Sequence, residues 1–405
     1  MKISQRAQRI EPFYVMEVGK AASELAAQVA HTDKPMIFVN IGEPDFTAPP
    51  LVQAAAARAI ANGHTQYTQA TGMLALRGKI SAWYASRFQV QIAPSRIVLT
   101  AGASAALQLA CLALIEAGDE VLMPDPSYPC NRQFVGAADG VATLLPTTPA
   151  QRFQPTAAQV QTHWDARLSS DNLRTKGVLL ASPSNPTGTS IHPDELRRIA
   201  DFVRSKGGVT MVDEIYLGLS HDATYGHTAL ALPDGLGEQV VSINSFSKYF
   251  QMTGWRLGWL VVPESLAPTI ERLAQNLYIC PSTIAQHAAL ACFEPESLAI
   301  YEARRAEFKA RRDYFIPALR SIGFEVPVEA DGAFYAYADC SQLLSKVGAA
   351  SSWEFCFEMM RRAHVAITPG RDFGSDSTAR FVRFSTASSM HDLRTAITRM
   401  AEVLA

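Results

Sequence analysis

Residues 240–262 read VVSINSFSKYFQMTGWRLGWLVV. Two short apolar runs, Val240–Asn244 and Leu257–Val262, bracket a polar loop. Continuous runs of this length read as strands buried on both faces, as in a parallel sheet covered by helices. The loop carries Lys248 and, after Gly254-Trp255, Arg256. A lysine set between two core strands serves no solubility purpose, because lysines are seldom buried unless paired or reactive. In an open α/β sheet, ligands sit beyond the carboxyl ends of the strands. The loops after the other strands are therefore where further chemistry belongs.

Similar runs lie at Ile97–Leu99, Glu120–Met123, Gly177–Ala181 and Val209–Val212. Helical spacing separates them: Leu107, Ala110, Cys111 and Leu114 stand at i, i+3, i+4, i+7, as do Leu196, Ile199, Ala200 and Val203. This alternation predicts an α/β fold with a mostly parallel sheet flanked by helices. After about residue 264 the texture changes. Helices are expected over Glu271–Phe293 and Leu298–Ile322, and strands over Ala333–Ala338, Val365–Thr368 and Phe381–Ser385. A last helix is expected over His391–Leu404, so this part reads as a smaller α+β unit. The first 40 residues precede any core strand and are assigned to that unit. The expected domains are a large one over 41–284 and a small one from 1–40 plus 285–405, tightly packed because no Pro/Gly/Ser linker divides them.

The chain has 405 residues, enough for two to three domains at about 150 residues each. Lys plus Arg number 36 and Asp plus Glu 38, a net charge of −2, which argues against nucleic acid or an anionic membrane as partner. With 48% hydrophobic and 18% charged residues, disorder, collagen and coiled coil are excluded for the whole. Residues 97–115 carry no charge, but Thr100, Gly102, Ser104 and Gln108 interrupt them. They read as buried strand, turn and helix rather than a membrane span. Six cysteines without a C-x-x-C pair suggest reduced thiols, and the N-terminus MKISQR has no apolar run behind its charges to mark a signal peptide. A cytoplasmic location is expected. The nine histidines show no ligand spacing, so no metal site is expected. A near-match to a phosphate loop, Gly72 to Lys79, has the wrong spacing and Ile80 in place of Ser or Thr.

The strand-end loops hold an unusual set of groups. After Leu99 comes Thr100-Ala-Gly-Ala-Ser104, whose small residues let helix N–H groups approach an anion; a tight turn would need them equally. Ser182-Pro-Ser-Asn-Pro-Thr-Gly188 presents Asn185 on a loop stiffened by two prolines. Asp213-Glu-Ile-Tyr216 puts a carboxylate at a strand end, with a helix N-cap as the plainer reading, and a phenol three residues on. Anion cradle, amide, carboxylate, phenol, lysine and arginine together form the inventory for holding a phosphorylated pyridine aldehyde. The amine forms a Schiff base, and the carboxylate keeps the ring nitrogen protonated.

With SNPTG at 184–188, DEIY at 213–216 and SFSKxxxMTGWRLG at 245–258, the chain resembles a class I/II aminotransferase, a pyridoxal-phosphate enzyme of fold type I in the aspartate aminotransferase superfamily. The likeness runs from Ile41-Gly-Glu-Pro-Asp-Phe46 to Val382-Arg-Phe-Ser385. It implies a seven-stranded-type large-domain sheet and pyridoxal 5′-phosphate as cofactor. It implies that Lys248 carries the Schiff base and moves the substrate proton, with Asp213 on the ring nitrogen. Asn185 and Tyr216 would bond the ring oxygen, Tyr128 would stack on the ring, and Gly102, Ala103, Ser104, Ser245 and Arg256 would hold the phosphate. Tyr67 would reach the phosphate of a neighbouring subunit, implying a homodimer with shared active sites. Arg383 would grip the substrate carboxylate bidentately, with Gly42 beside it; a surface-strand arginine is the plainer reading of that residue.

The implied reaction is transfer of an amino group from an L-amino acid to a 2-oxo acid, by a ping-pong mechanism. Some dicarboxylate-preferring relatives have lysine where Ser104 stands, so that reader of a distal carboxylate is missing; either an Arg or Lys of the N-terminal segment, such as Lys20, substitutes for it or the pocket is neutral. Val15, Met16 and Val18 are apolar candidates for the substrate side of the pocket. The competing reading is a lyase of the carbon–sulfur or aminocyclopropane-carboxylate type on the same fold. A more remote one, a regulator with an aminotransferase-like sensor domain, needs a DNA-binding segment, and the 40 residues before Ile41 show no helix-turn-helix or basic cluster.

Overall fold

A computed structural model describes residues 1–12, 14–167 and 174–405. The apolar runs assemble into one seven-stranded sheet. Its order is Ile97–Thr100, Gly258–Val261, Val241–Ser245, Val209–Asp213, Arg174–Ala181, Asp119–Asp125 and Val141–Pro146. Gly258–Val261 runs antiparallel to both neighbours, and the other pairings are parallel. The α/β class and the mostly parallel seven-stranded sheet are as the sequence implied. The edge strand Val141–Pro146 was not foreseen, because it is partly exposed, ends in proline and lacks a continuous apolar run.

Successive side chains of a strand point to opposite faces, so a wholly apolar strand needs cover on both. Leu179, Met211 and Ile243 face the helices Ala103–Leu114 and Ala267–Leu277, which bury Leu107, Ala110, Ile270 and Ala274 against them. Val178, Leu180 and Val212 face the other way, onto Leu196, Ile199 and Val203 of Pro193–Ser205 and onto Val160 and Trp164. The stretch 97–115 is thus strand, turn and helix. Among the described residues no helix is long and apolar enough to cross a membrane.

The helix expected over Glu271–Phe293 is broken into Ala267–Leu277, Thr283–Leu290 and a 3-10 turn, Ala291–Phe293. Ile279 takes a left-handed φ of 69°, Pro281 removes a donor, and Ser282 caps the next helix by accepting the Ala285 N–H at 3.3 Å. The long helix Pro295–Ser321 runs on through Pro317.

A three-stranded antiparallel sheet, in the order Thr368–Pro369, Phe381–Ser385, Tyr335–Asp339, forms a second layer. The strand expected over Val365–Thr368 divides, because Val365–Ala366 pairs instead with Ile37–Phe38. The helix Tyr14–Val29 buries Val18 and Ala22 against Met360 and Ala366. An aromatic core joins Trp83, Tyr84, Phe246, Phe250 and Trp259 to Ala285, Cys292, Tyr301 and Phe308, so residues on both sides of position 285 share one interior.

Trp259 is fully buried at the centre of this core, its indole N–H donating to the Tyr84 hydroxyl at 3.2 Å. Trp259→Ala should lower unfolding free energy by about 3–5 kcal/mol, measured by urea titration.

Candidate active site

Five parallel or pseudo-parallel strand ends converge on one cavity of about 800 Å³. Eleven of the thirteen residues singled out from the sequence line it: Gly42, Ala103, Ser104, Tyr128, Asn185, Asp213, Tyr216, Ser245, Lys248, Arg256 and Arg383. Gly102 stands directly behind the wall. Its φ of 83° and its closeness to the Arg256 guanidinium, whose Nη2 would lie 2.7 Å from a Cβ, exclude a side chain. Tyr67 is not among the residues lining this cavity, and it is 79% exposed.

The Ala103–Leu114 helix begins with no side-chain cap, so its first N–H groups point at the cavity mouth with the positive end of the helix dipole. Arg256, itself at a left-handed φ of 52°, donates from Nη1 to the Thr253 carbonyl at 3.0 Å and lays its other amino group beside Gly102. Ser245 ends the preceding strand, and its Oγ accepts the Ser247 N–H at 3.0 Å. Helix terminus, guanidinium and hydroxyl together could hold an anion such as a phosphate.

Lys248 turns back over the strand ends and donates from Nζ to the Gly42 carbonyl at 2.6 Å. Burial lowers its pKa to about 8; Glu43 and Asp213 oppose the fall, and Arg383 and Arg256 add to it. Asp213 is almost wholly buried and accepts the Ile215 N–H at 3.2 Å. Burial pushes it up to about 7, against the pull of that N–H and of Lys248. The next residue, Glu214, is equally buried but faces the other way. It accepts from Thr228 Oγ1 at 2.9 Å, Ala229 N at 2.6 Å and Ser242 Oγ at 2.7 Å, so it ties the strand end into the scaffold.

Arg383 comes from the smaller sheet and is 3% exposed. Its Nη1 donates to Asn185 Oδ1 at 2.9 Å and its Nη2 to the Asn40 carbonyl at 2.6 Å, while the buried Nε has no protein partner. Its guanidinium lies 4.6 Å from the Tyr335 ring and 5.1 Å from that of Phe373. The surface-strand reading of Arg383 is thereby excluded. Tyr335, Phe373, Asn40 and Glu214 were missed in the sequence. The alternation Phe334-Tyr-Ala-Tyr337 was the one available signal, since it puts an aromatic on each face of a short strand.

Of the apolar candidates for the substrate side, Val15 and Met16 line the cavity with Phe38 and Ile41. Val18 does not; it is fully buried in the packing of its helix. Lys20 lines the mouth, with its ammonium 4.0 Å from Glu24.

The family model for aminotransferase class I and II matches residues 34–400. The chain is similar to valine–pyruvate aminotransferase of Mycobacterium tuberculosis, at 38% identity over 98% of this chain and 97% of the relative. It is also similar to an aspartate aminotransferase of Geobacillus stearothermophilus, at 30% identity over 99% and 98%. Among solved structures, an aminotransferase from Mycobacterium tuberculosis superposes with a TM-score of 0.91 at 36% identity, covering 100% of this chain and 99% of the other. A single mutant of Thermus thermophilus aspartate aminotransferase gives 0.88 at 29% identity, with both chains covered completely.

With Lys248 at about 8 rather than 10.5, its uncharged fraction at pH 7 exceeds that of an ordinary lysine by about 300-fold. In cofactor-free protein, reductive methylation of Lys248 followed by peptide mass mapping should rise with pH through a midpoint near 8. A midpoint at the ordinary lysine value would contradict the burial argument.

Proposed function

The chain belongs to the class I and II aminotransferase family and is an aminotransferase, and we propose that it moves the amino group of an L-amino acid with an apolar side chain to a 2-oxo acid, using pyridoxal 5′-phosphate. The observation that carries this reading is the single cavity shared by the Lys248 amine, the Asp213 carboxylate, the Asn185 and Tyr216 polar groups and the Arg383 guanidinium, with an uncapped helix terminus at one end. The residues fit that cofactor. The phosphate cradle is shaped by a glycine that admits no side chain, and Asp213 is a buried carboxylate in want of a cation. When bound, the cofactor supplies an aldehyde carbon for an amine and a ring that takes up the electron pair left at the substrate Cα.

The chain's own groups then have distinct tasks. Gly102, Ala103, Ser104, Ser245 and Arg256 hold the phosphate. Asp213 keeps a proton on the ring nitrogen, and a cation there returns its own pKa toward the ordinary range. Asn185 and Tyr216 bond the ring oxygen, and Tyr128 covers the ring face. Arg383 binds the α-carboxylate and thereby sets the direction of the Cα–H bond, with the Gly42 backbone close to the same carboxylate. Lys248, its pKa lowered toward neutral, would take the Cα proton and give it to the cofactor's former aldehyde carbon, on the far side of the amino nitrogen. The amino acid leaves as its oxo acid before the second oxo acid enters, which makes the kinetics ping-pong.

The side-chain end of the cavity supports an apolar donor. Val15, Met16, Phe38 and Ile41 face it, Ser104 stands where a lysine would read a distal carboxylate, and Lys20 is 81% exposed at the rim. The valine–pyruvate relative agrees with that wall. The acceptor is then a 2-oxo acid such as pyruvate or 2-oxoglutarate. Tyr67, exposed as are the apolar Leu74, Leu277 and Ile279, supports a homodimer in which it completes the phosphate site of a second copy. The six unpaired cysteines suit a reducing, cytoplasmic setting.

Borohydride treatment of the yellow holoenzyme should fix the cofactor to Lys248, and Lys248→Ala should lose both the attachment and about 10³-fold or more in turnover. Wild-type turnover in that variant would sink the assignment. In a donor panel, valine or alanine should exceed aspartate by about tenfold or more in kcat/KM, since one unpaired buried charge costs at least that. Each good donor should convert the bound cofactor to its amine form; release of ammonia with no such conversion would establish a lyase instead.

A further inference from the structure

Tyr216 has a second partner that the tasks above do not use. Its hydroxyl lies 2.6 Å from the hydroxyl of Tyr335, in a hydrogen bond between two phenols that are 3% and 1% exposed. Tyr335 opens the Tyr335–Asp339 strand of the smaller sheet, paired with Ser385, two residues along from Arg383. Its ring stands nearly perpendicular to that of Tyr216, with centroids 5.5 Å apart, and the Arg383 guanidinium lies over its face. Its hydroxyl also presses against Gly42, where any Cβ would overlap it. The Gly42 carbonyl in turn accepts from Lys248. One side chain from the smaller sheet therefore touches Tyr216, Arg383 and Gly42 at once.

A phenylalanine would bury the same ring, whose nearest carbon would stand 3.3 Å from a Cβ at Gly42, whereas the hydroxyl would overlap it. The absent side chain at Gly42 leaves space for the hydroxyl, whose one hydrogen-bond partner among the described residues is the phenol assigned to the cofactor's ring oxygen. Each phenol has one hydrogen. If Tyr216 gives its hydrogen to the ring oxygen, the bond between the two tyrosines must use the hydrogen of Tyr335.

We propose that Tyr335 is a positioning residue that donates to the Tyr216 oxygen, so that it aims the Tyr216 hydroxyl at the cofactor's ring oxygen and strengthens it as a donor. The proposal rests on the pyridoxal-phosphate reading above. Hydrogen bonds in a chain polarise one another in a low-dielectric interior. A donor behind Tyr216 therefore stabilises negative charge on the ring oxygen beyond what Tyr216 does alone. The charged and titratable groups facing the pair are Arg383, Lys248, Asp213 and Tyr128, and Tyr335→Phe leaves each of them in place.

The test is a pH titration of the visible absorbance of the holoenzyme, without substrate. In Tyr335→Phe the ring oxygen is less stabilised as an anion, so the proton it shares with the Lys248 nitrogen is kept to higher pH. The midpoint should rise by about 0.3 unit or more. Tyr216→Phe alone should raise it further, and Tyr335→Phe added to Tyr216→Phe should move it no more. An unchanged midpoint in Tyr335→Phe, or an equal shift in the Tyr216→Phe background, would show that the hydroxyl only fills space. A wild-type protein with no visible band would overturn the cofactor reading and this proposal with it, whereas a visible band that does not titrate would overturn this proposal alone.

Discussion

The structure depends on one unfavourable act, the placing of an amine between two core strands. Removing an ammonium from water costs several kcal/mol, and an isolated amine so placed lowers its pKa instead. Lys248 does so, and the carbonyl of Gly42 is the acceptor that makes its position tolerable. The surrounding backbone is arranged around that amine. Two antiparallel pairings, of Gly258–Val261 with each neighbour, bring the strand ends at Thr100 and Ser245 alongside the return strand that starts next to Arg256. Lysine, arginine and helix terminus thus arise from a single local reversal in an otherwise parallel sheet.

The adjacent carboxylates Asp213 and Glu214 show how the scaffold separates structure from chemistry. Both are buried, and burial drives both up to about 7. Glu214 has three protein donors and serves the fold, holding the end of its strand to Ser242 and to the loop at Thr228. Asp213, pointing to the opposite side because side chains alternate along a strand, has one backbone donor and the open cavity. A fully satisfied carboxylate next to a nearly unsatisfied one fixes the second in place while leaving it available for a ligand.

The parts legible in the sequence are those whose signal is local. Continuous apolar runs marked the central strands, because a parallel sheet leaves no polar face to confuse the pattern. Lys248, Asp213 and Asn185 were legible because each sits at the end of such a run or in the short loop just after it, where open-sheet ligands bind. Local signals failed in three kinds of place. Val141–Pro146 is an edge strand without a full apolar run. The break at Ile279 depends on a backbone conformation that isoleucine rarely takes, which helical periodicity cannot show. Val18 and Val15 lie on one helix with the same chemistry, and only the packing against Met360 and Ala366 tells which faces the cavity. Tyr335 was hidden for a related reason. Its partners are 119 residues away at Tyr216 and across the sheet at Arg383, so nothing near it in the chain distinguishes it from core.

Arg383 links these constraints. It comes from the smaller sheet, yet it is bonded to Asn185 on a loop of the larger one and to the Asn40 carbonyl. Its two aromatic neighbours, Tyr335 and Phe373, leave its plane little freedom. A guanidinium so confined loses little further entropy when it meets a carboxylate, so its binding energy can go into orientation. The same contacts make the relative placement of the two sheets a determinant of the site. A change that moves the smaller sheet displaces Arg383 and the Tyr335 hydroxyl together, and so disturbs the grip on the substrate and the tuning of Tyr216 in one motion.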